Sequence, residues 1–108
     1  VRFGPRAGAD GGPGARVETV RRVGPNPVDP NGPHGLAVAP GAREYFVSLA
    51  HGTPYGTLWR YDAATGRAVG HVELGLFPAT LQVIPDGRTA WVVNFNLHGD
   101  MVPSSVSV

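Results

Sequence analysis

The chain has 108 residues, the size of one small domain with a single core. Its 9 basic residues are all arginine and face 8 acidic ones, so the chain has no strongly basic field to bind nucleic acid or an anionic membrane surface. The absence of cysteine excludes a disulfide framework, thiolate metal ligands and a cysteine nucleophile, and no apolar run approaches the roughly 20 residues of a membrane span.

Turn-forming residues are unusually frequent, with 16 glycines and 11 prolines. Together with runs rich in valine and aromatic residues, they predict an all-β protein of many short strands joined by turns. Residues 1–15 are rich in glycine and proline and show no apolar periodicity, which predicts a flexible leader. Residues 16–33 begin with the alternating segment RVETVRRV, which predicts an outer strand of a preceding unit, and continue as a proline-rich loop.

The rest of the chain repeats itself with a shift of 45 residues. Six positions are identical between 33–47 and 78–92, and the pairs are Pro33/Pro78, Leu36/Leu81, Val38/Val83, Pro40/Pro85, Arg43/Arg88 and Val47/Val92. Later in the second copy the shift becomes 48, which places the final SVSV over the segment TLWRY. A period in the forties is typical of stacked supersecondary units, and four-stranded propeller blades are the all-β form of these.

Turn residues divide the first copy, residues 34–74, into four predicted antiparallel strands: GLAVA, EYFVSL, TLWRY and AVGHVEL. The second copy, residues 78–108, contains TLQVI and TAWVVN and begins a third strand at Ser104. Its turn PDGR is a strong tight-turn signal, because proline presets φ at the first corner and glycine accepts a positive φ.

The segments PHGLAVAPGAREYFVSLA and PATLQVIPDGRTAWVVNF, with the strand and turn YDAATGRAVGHVELG, resemble YVTN-type β-propeller repeats over about residues 16–108. The resemblance implies an all-β fold of β-propeller blades, each a four-stranded antiparallel sheet. In the first copy, PGAR departs from the usual Pro-Asp-Gly turn of the family.

A propeller needs roughly four to eight blades to close. We therefore expect an incomplete ring, with a first blade at 34–74 and a second blade at 78–108 that is truncated in its third strand. The isolated chain would expose unpaired strand edges and an apolar blade face, which is an aggregation hazard.

Strand parity predicts where a ligand would bind. In an up-and-down blade, the second-to-third loops and the blade-to-blade loops share one face, and here these are the longest connections. Loops on a rigid scaffold commonly carry binding residues. The predicted ligand-binding residues on that long-loop face are His34, His51, His98, Asp100 and Met101.

His34 and His98 are also candidate metal ligands, because imidazole suits Zn, Cu or Fe and the nearby Met101 thioether would add affinity for Cu(I). Structural roles are the alternative. A histidine in Pro-His-Gly often hydrogen-bonds a neighbouring backbone group, His51 suits a structured turn, and His71 on an outer strand is predicted to be solvated. The strand aromatics are predicted to pack between blades; they are Tyr45, Phe46, Trp59, Tyr61 and Trp91.

Three functions remain open. The first is a non-catalytic binding or scaffold module without a cofactor, whose partner is the rest of a propeller, a partner protein or a small molecule. The second is a redox or enzymatic propeller that holds a transition metal through its histidines. The third is a lactonase-like hydrolase, for which the chain shows neither a Gly-x-Ser-x-Gly elbow nor an acid and base pair. The resemblance implies an extracytoplasmic location, periplasmic or secreted.

Overall fold

The computed structural model of the chain describes residues 2–3, 15–16, 19–24, 32–50, 55–96 and 103–108. Within these ranges the chain is all-β, as the composition predicts, and it contains no helix that could cross a bilayer. The strands are β1 (Arg2–Phe3), β2 (Ala15–Arg16), β3 (Pro33–Val38), β4 (Glu44–Leu49), β5 (Thr57–Asp62), β6 (Ala68–Glu73), β7 (Pro78–Val83), β8 (Ala90–Asn94) and β9 (Ser105–Ser107).

All strand pairs are antiparallel and follow chain order. Strands β3 to β6 form a four-stranded first sheet, β7 to β9 form a second sheet of three described strands, and β1 pairs with β2. The predicted PDGR turn joins β7 to β8: Gly87 has a φ of 69°, and the Asp86 carboxylate accepts hydrogen bonds from the amides of Arg88 and Thr89. This turn is closed by its own residues.

The internal repeat is present in the strand register. Leu36 pairs with Val47 and Leu81 pairs with Val92, so both partners shift by 45 residues. In the next strand pair, Ser48 pairs with Leu58 in the first sheet and Val93 pairs with Val106 in the second. Ser48 and Val93 are still related by the shift of 45, whereas Leu58 and Val106 are related by the predicted shift of 48. The repeat read from the sequence is therefore confirmed as a repeat of strand pairing.

Each sheet has two faces, which we name by their residues. The front carries Leu36, Val38, Tyr45 and Val47 in the first sheet and Leu81, Val83, Ala90 and Val92 in the second. The back carries Ala37, Phe46, Ser48 and Leu58 in the first sheet and Gln82, Trp91, Val93 and Val106 in the second. The back of the first sheet packs on the front of the second through a buried cluster of Leu58, Leu81 and Val92.

The two sheets approach most closely where β3 and β4 meet β7. Ser48 is 0% exposed and bridges them: the Gly35 amide donates to its hydroxyl at 2.8 Å, and the hydroxyl donates to the Ala79 carbonyl at 2.8 Å. A Cβ atom at Gly35 would overlap the Ala79 carbonyl oxygen. Glycine at this position is thus required by the distance between the sheets.

A second buried cluster lies on the front of the first sheet, formed by Val47, Leu49 and Tyr61. Val23 packs against it from residues 19–24, which run beside the sheet without strand pairing. Here the structure differs from the strand predicted over 16–23, since among the described residues of that segment only Arg16 is in a strand. Side-chain contacts, described below, hold this segment against the sheet instead of a ladder of backbone hydrogen bonds.

Gly35→Ala tests the close approach of the sheets. The added methyl group meets backbone that cannot rotate away, so we expect the free energy of unfolding to fall by about 1–3 kcal/mol, measured by urea denaturation. The matched control is Gly70→Ala in β6, where a Cβ meets no atom within 4 Å and no comparable loss is expected. Equal denaturation midpoints for the two variants would contradict this packing.

Candidate functional site

The antiparallel order separates the connections into two sets. Residues 39–43, 63–67 and 84–89 form short turns at one end of the sheets. The described residues that directly follow β4, β6 and β8, together with the entry to β3, lie at the opposite end, which we call the loop end. His34, the second residue of β3, lies there.

The His34 ring packs edge-on against the ring of Phe77, with 4.7 Å between centroids and 61° between planes. Phe77 is buried and adopts a left-handed φ of 50°, which is uncommon for a residue with a bulky side chain. Its carbonyl accepts a hydrogen bond from the Phe95 amide at 2.9 Å. The sequence predicted a backbone hydrogen bond or a metal for His34, and gave no sign of this ring contact between the two sheets.

The other predicted ligand-binding residues lie outside the described residues: His51, His98, Asp100 and Met101. Their predicted placement on one face with His34 therefore stays a prediction. Within the described part of the chain, no group of three His, Cys, Asp or Glu residues is arranged to hold a metal. His71, which we expected to be solvated, is exposed and stacks on Trp59 at 4.4 Å between centroids.

Asn94 is a loop-end residue that sequence reasoning missed. It is 2% exposed, and its amide nitrogen donates to the hydroxyls of Ser105 at 3.0 Å and Ser107 at 2.8 Å. Its Oδ1 atom is buried without a hydrogen-bond partner among the described residues. These bonds join the end of β8 to β9, so the side chain sets the pairing of the last two strands next to the loop end.

An open groove of about 720 Å³ lies over the front of the first sheet. Leu36, Val38 and Tyr45 form its floor, Arg21 and Val23 form one wall, and His34 lies at its loop end. Leu36 is 68% exposed and Val38 is 56% exposed. The groove is thus mainly apolar, with polar groups at its margins.

Residues 19–24 form the wall of the groove through two anchors. The Arg21 guanidinium donates to the carbonyls of Thr65 at 2.6 Å and Ala64 at 3.1 Å. The Gly24 amide donates to the Tyr61 hydroxyl at 3.0 Å. Burial raises the pKa of the Tyr61 hydroxyl, and the hydrogen bond from the Gly24 amide partly opposes that shift.

The turn that receives Arg21 is organised by Asp62. The Asp62 carboxylate accepts hydrogen bonds from the Thr65 amide at 2.7 Å and the Thr65 hydroxyl at 2.8 Å. These bonds lower the pKa of Asp62. Because they also aim the Thr65 and Ala64 carbonyls at the guanidinium, the turn and the groove wall are coupled. The sequence contains 9 arginines and several turn segments, so no local signal pairs Arg21 with this distant turn.

No protein-family model matches the chain, and a search of curated proteins found no relative.

Tyr61→Phe tests the second anchor of the groove wall. The variant keeps the ring but leaves the Gly24 amide without its acceptor, so we expect a loss of about 0.5–1.5 kcal/mol in the free energy of unfolding, measured by urea denaturation. Tyr45→Phe is the matched control, because the Tyr45 ring stacks on the Tyr61 ring with 5.1 Å between centroids. Removing the Tyr45 hydroxyl leaves the hydrogen bond from the Gly24 amide to Tyr61 intact. A loss of the same size in both variants would contradict the anchor.

Asp62→Asn tests the charge on the turn. Because the pKa of Asp62 is lower in the folded chain, its stabilising contribution is present above the usual carboxyl pKa of about 4 and is lost as the pH falls through the folded value. The amide keeps an oxygen acceptor but does not titrate. We therefore expect lower stability at neutral pH and a weaker decline between about pH 5 and pH 3, measured by thermal unfolding.

Asp62→Ala is the comparison for this pH series, because it removes the acceptor at every pH and should lower stability throughout. If Asp62→Asn showed the same acid decline as the unchanged chain, the carboxylate would have no role in holding the turn.

Proposed function

We propose that the chain is part of a β-propeller of the YVTN-repeat kind and acts as a non-catalytic binding or scaffold module. The observation that carries this proposal is the stacking of two antiparallel sheets back to front with the same strand register. Their first strands, β3 and β7, lie next to each other. Radial repetition of such sheets is the architecture of propellers, and the YVTN-like segments are its sequence counterpart.

The loop end is the proposed binding end. The short turns at the opposite end are closed by their own residues, as with Asp62 and Asp86, and they leave little backbone for a ligand. The loop end instead joins segments from both sheets around His34 and Phe77. A protein or small-molecule ligand that spans both sheets would bind there, outside the cytoplasm if the resemblance holds for location as well.

Titration of the purified chain with Zn²⁺ and Cu²⁺, followed by calorimetry, separates this proposal from a metal-dependent function. A binding module without a metal should take up neither ion stoichiometrically, and His34→Ala and His98→Ala should change nothing. The control is His71→Ala, since His71 lies in β6 against Trp59 and away from the loop end.

Uptake of one equivalent that is lost in His34→Ala or His98→Ala and kept in His71→Ala would replace the binding module with a metal-dependent protein. Hydrolysis of lactones by the same preparation, abolished by Asp100→Ala, would replace it with a hydrolase.

A further inference from the structure

The contact between the two sheets has a direction. The back of the first sheet, with Phe46 and Leu58, covers the front of the second, with Leu81 and Val92. Phe46 lies at the Val83 and Ala90 end of that front, beside the turn residue Gly87. An aromatic side chain from one back face thus packs, partly buried, against the apolar cluster on the next front face.

Each sheet also has one face that the other does not cover. On the first sheet this is the front, where the groove over Leu36 and Val38 lies. On the second sheet it is the back, where Trp91 is 51% exposed and Val93 and Val106 are exposed beside it. Contiguous apolar surface of this kind marks an interaction site.

The repeat shows that these two open faces correspond to the two buried ones. Trp91 occupies the position of Phe46, 45 residues later, and the residue that pairs with it on the preceding strand is shifted by the same 45 residues. The groove residues Val38, Ala42 and Tyr45 occupy the positions of Val83, Gly87 and Ala90, which line one pocket together with Phe46. The groove is therefore shaped by the same strand positions that receive Phe46 within the chain.

We propose that the back of the second sheet of one copy docks on the front of the first sheet of a second copy, with Trp91 entering the groove over Val38 and Tyr45. The two surfaces differ, so the contact is head-to-tail and leads to a ring when the rotation closes. The inference rests on sheet packing and does not require a ligand at the loop end.

This contact should be weaker than the one within the chain. Thr80 takes the place of Gly35, so its side chain keeps the strands further apart, and Val93 takes the place of Ser48, so the bridging hydroxyl is absent. Trp91 offers more apolar area than Phe46 in partial compensation. We expect reversible association that depends on protein concentration.

Analytical ultracentrifugation of the chain over a wide concentration range tests the proposal. The average mass should rise with concentration, and Trp91→Arg and Val38→Arg should each weaken association at least about tenfold. Both side chains are exposed in the single chain, so the variants should retain its circular dichroism spectrum. The matched control is Val69→Arg, an exposed valine of the edge strand β6 that does not line the groove, and it should associate like the unchanged chain.

Mixing the two variants distinguishes a head-to-tail contact from other modes. Trp91→Arg keeps an intact front and Val38→Arg keeps an intact back, so an equimolar mixture should form a one-to-one dimer that neither variant forms alone. In the Trp59→Phe variant, where Trp91 is the remaining tryptophan, its emission should shift to shorter wavelength as that variant associates.

Three results would overturn the proposal. They are a chain that stays monomeric at all concentrations, association that survives both Trp91→Arg and Val38→Arg, and a mixture of these variants that contains only monomers.

Discussion

The hydroxyl of Ser48 is the contact on which the arrangement of the two sheets depends. It accepts from the Gly35 amide and donates to the Ala79 carbonyl in a fully buried position, where an unpaired backbone group would cost about 1–3 kcal/mol. The missing side chain at Gly35 allows this approach, because any Cβ there would overlap the Ala79 carbonyl. Together the two residues determine that the back of one sheet faces the front of the next.

This directed stacking accounts for both the stability and the open surface of the chain. Leu58, Leu81 and Val92 are buried because they lie on the two faces in contact. Leu36 is the repeat equivalent of Leu81 and Trp91 is that of Phe46, but both lie on the uncovered faces and remain exposed. Residues 19–24 cover only part of the front of the first sheet. They are held there by the Arg21 guanidinium and by the hydrogen bond from the Gly24 amide to Tyr61, and the groove lies open beside them.

The two ends of the sheets differ in how they are built. At the short-turn end, Asp62 and Asp86 accept hydrogen bonds from residues two or three positions later, so these turns are determined locally. At the loop end, contacts join distant parts of the chain, as His34 does with Phe77 and Asn94 with Ser105. Binding of a ligand at the loop end would therefore leave the local turns unchanged.

The sequence by itself determined what depends on near neighbours: the all-β class, the limits of Glu44–Leu49, the turn around Gly87 and the repeat that appears as a strand register. Alternation and turn chemistry act over a few residues, so they can be read from the order of residue types. The tertiary structure alone decided that Ser48 bridges two sheets, that Arg21 anchors to a turn 44 residues away, and that Trp91 is exposed where Phe46 is packed. Those outcomes depend on which face of one sheet meets which face of the next, and residues with the same local pattern then receive different surroundings.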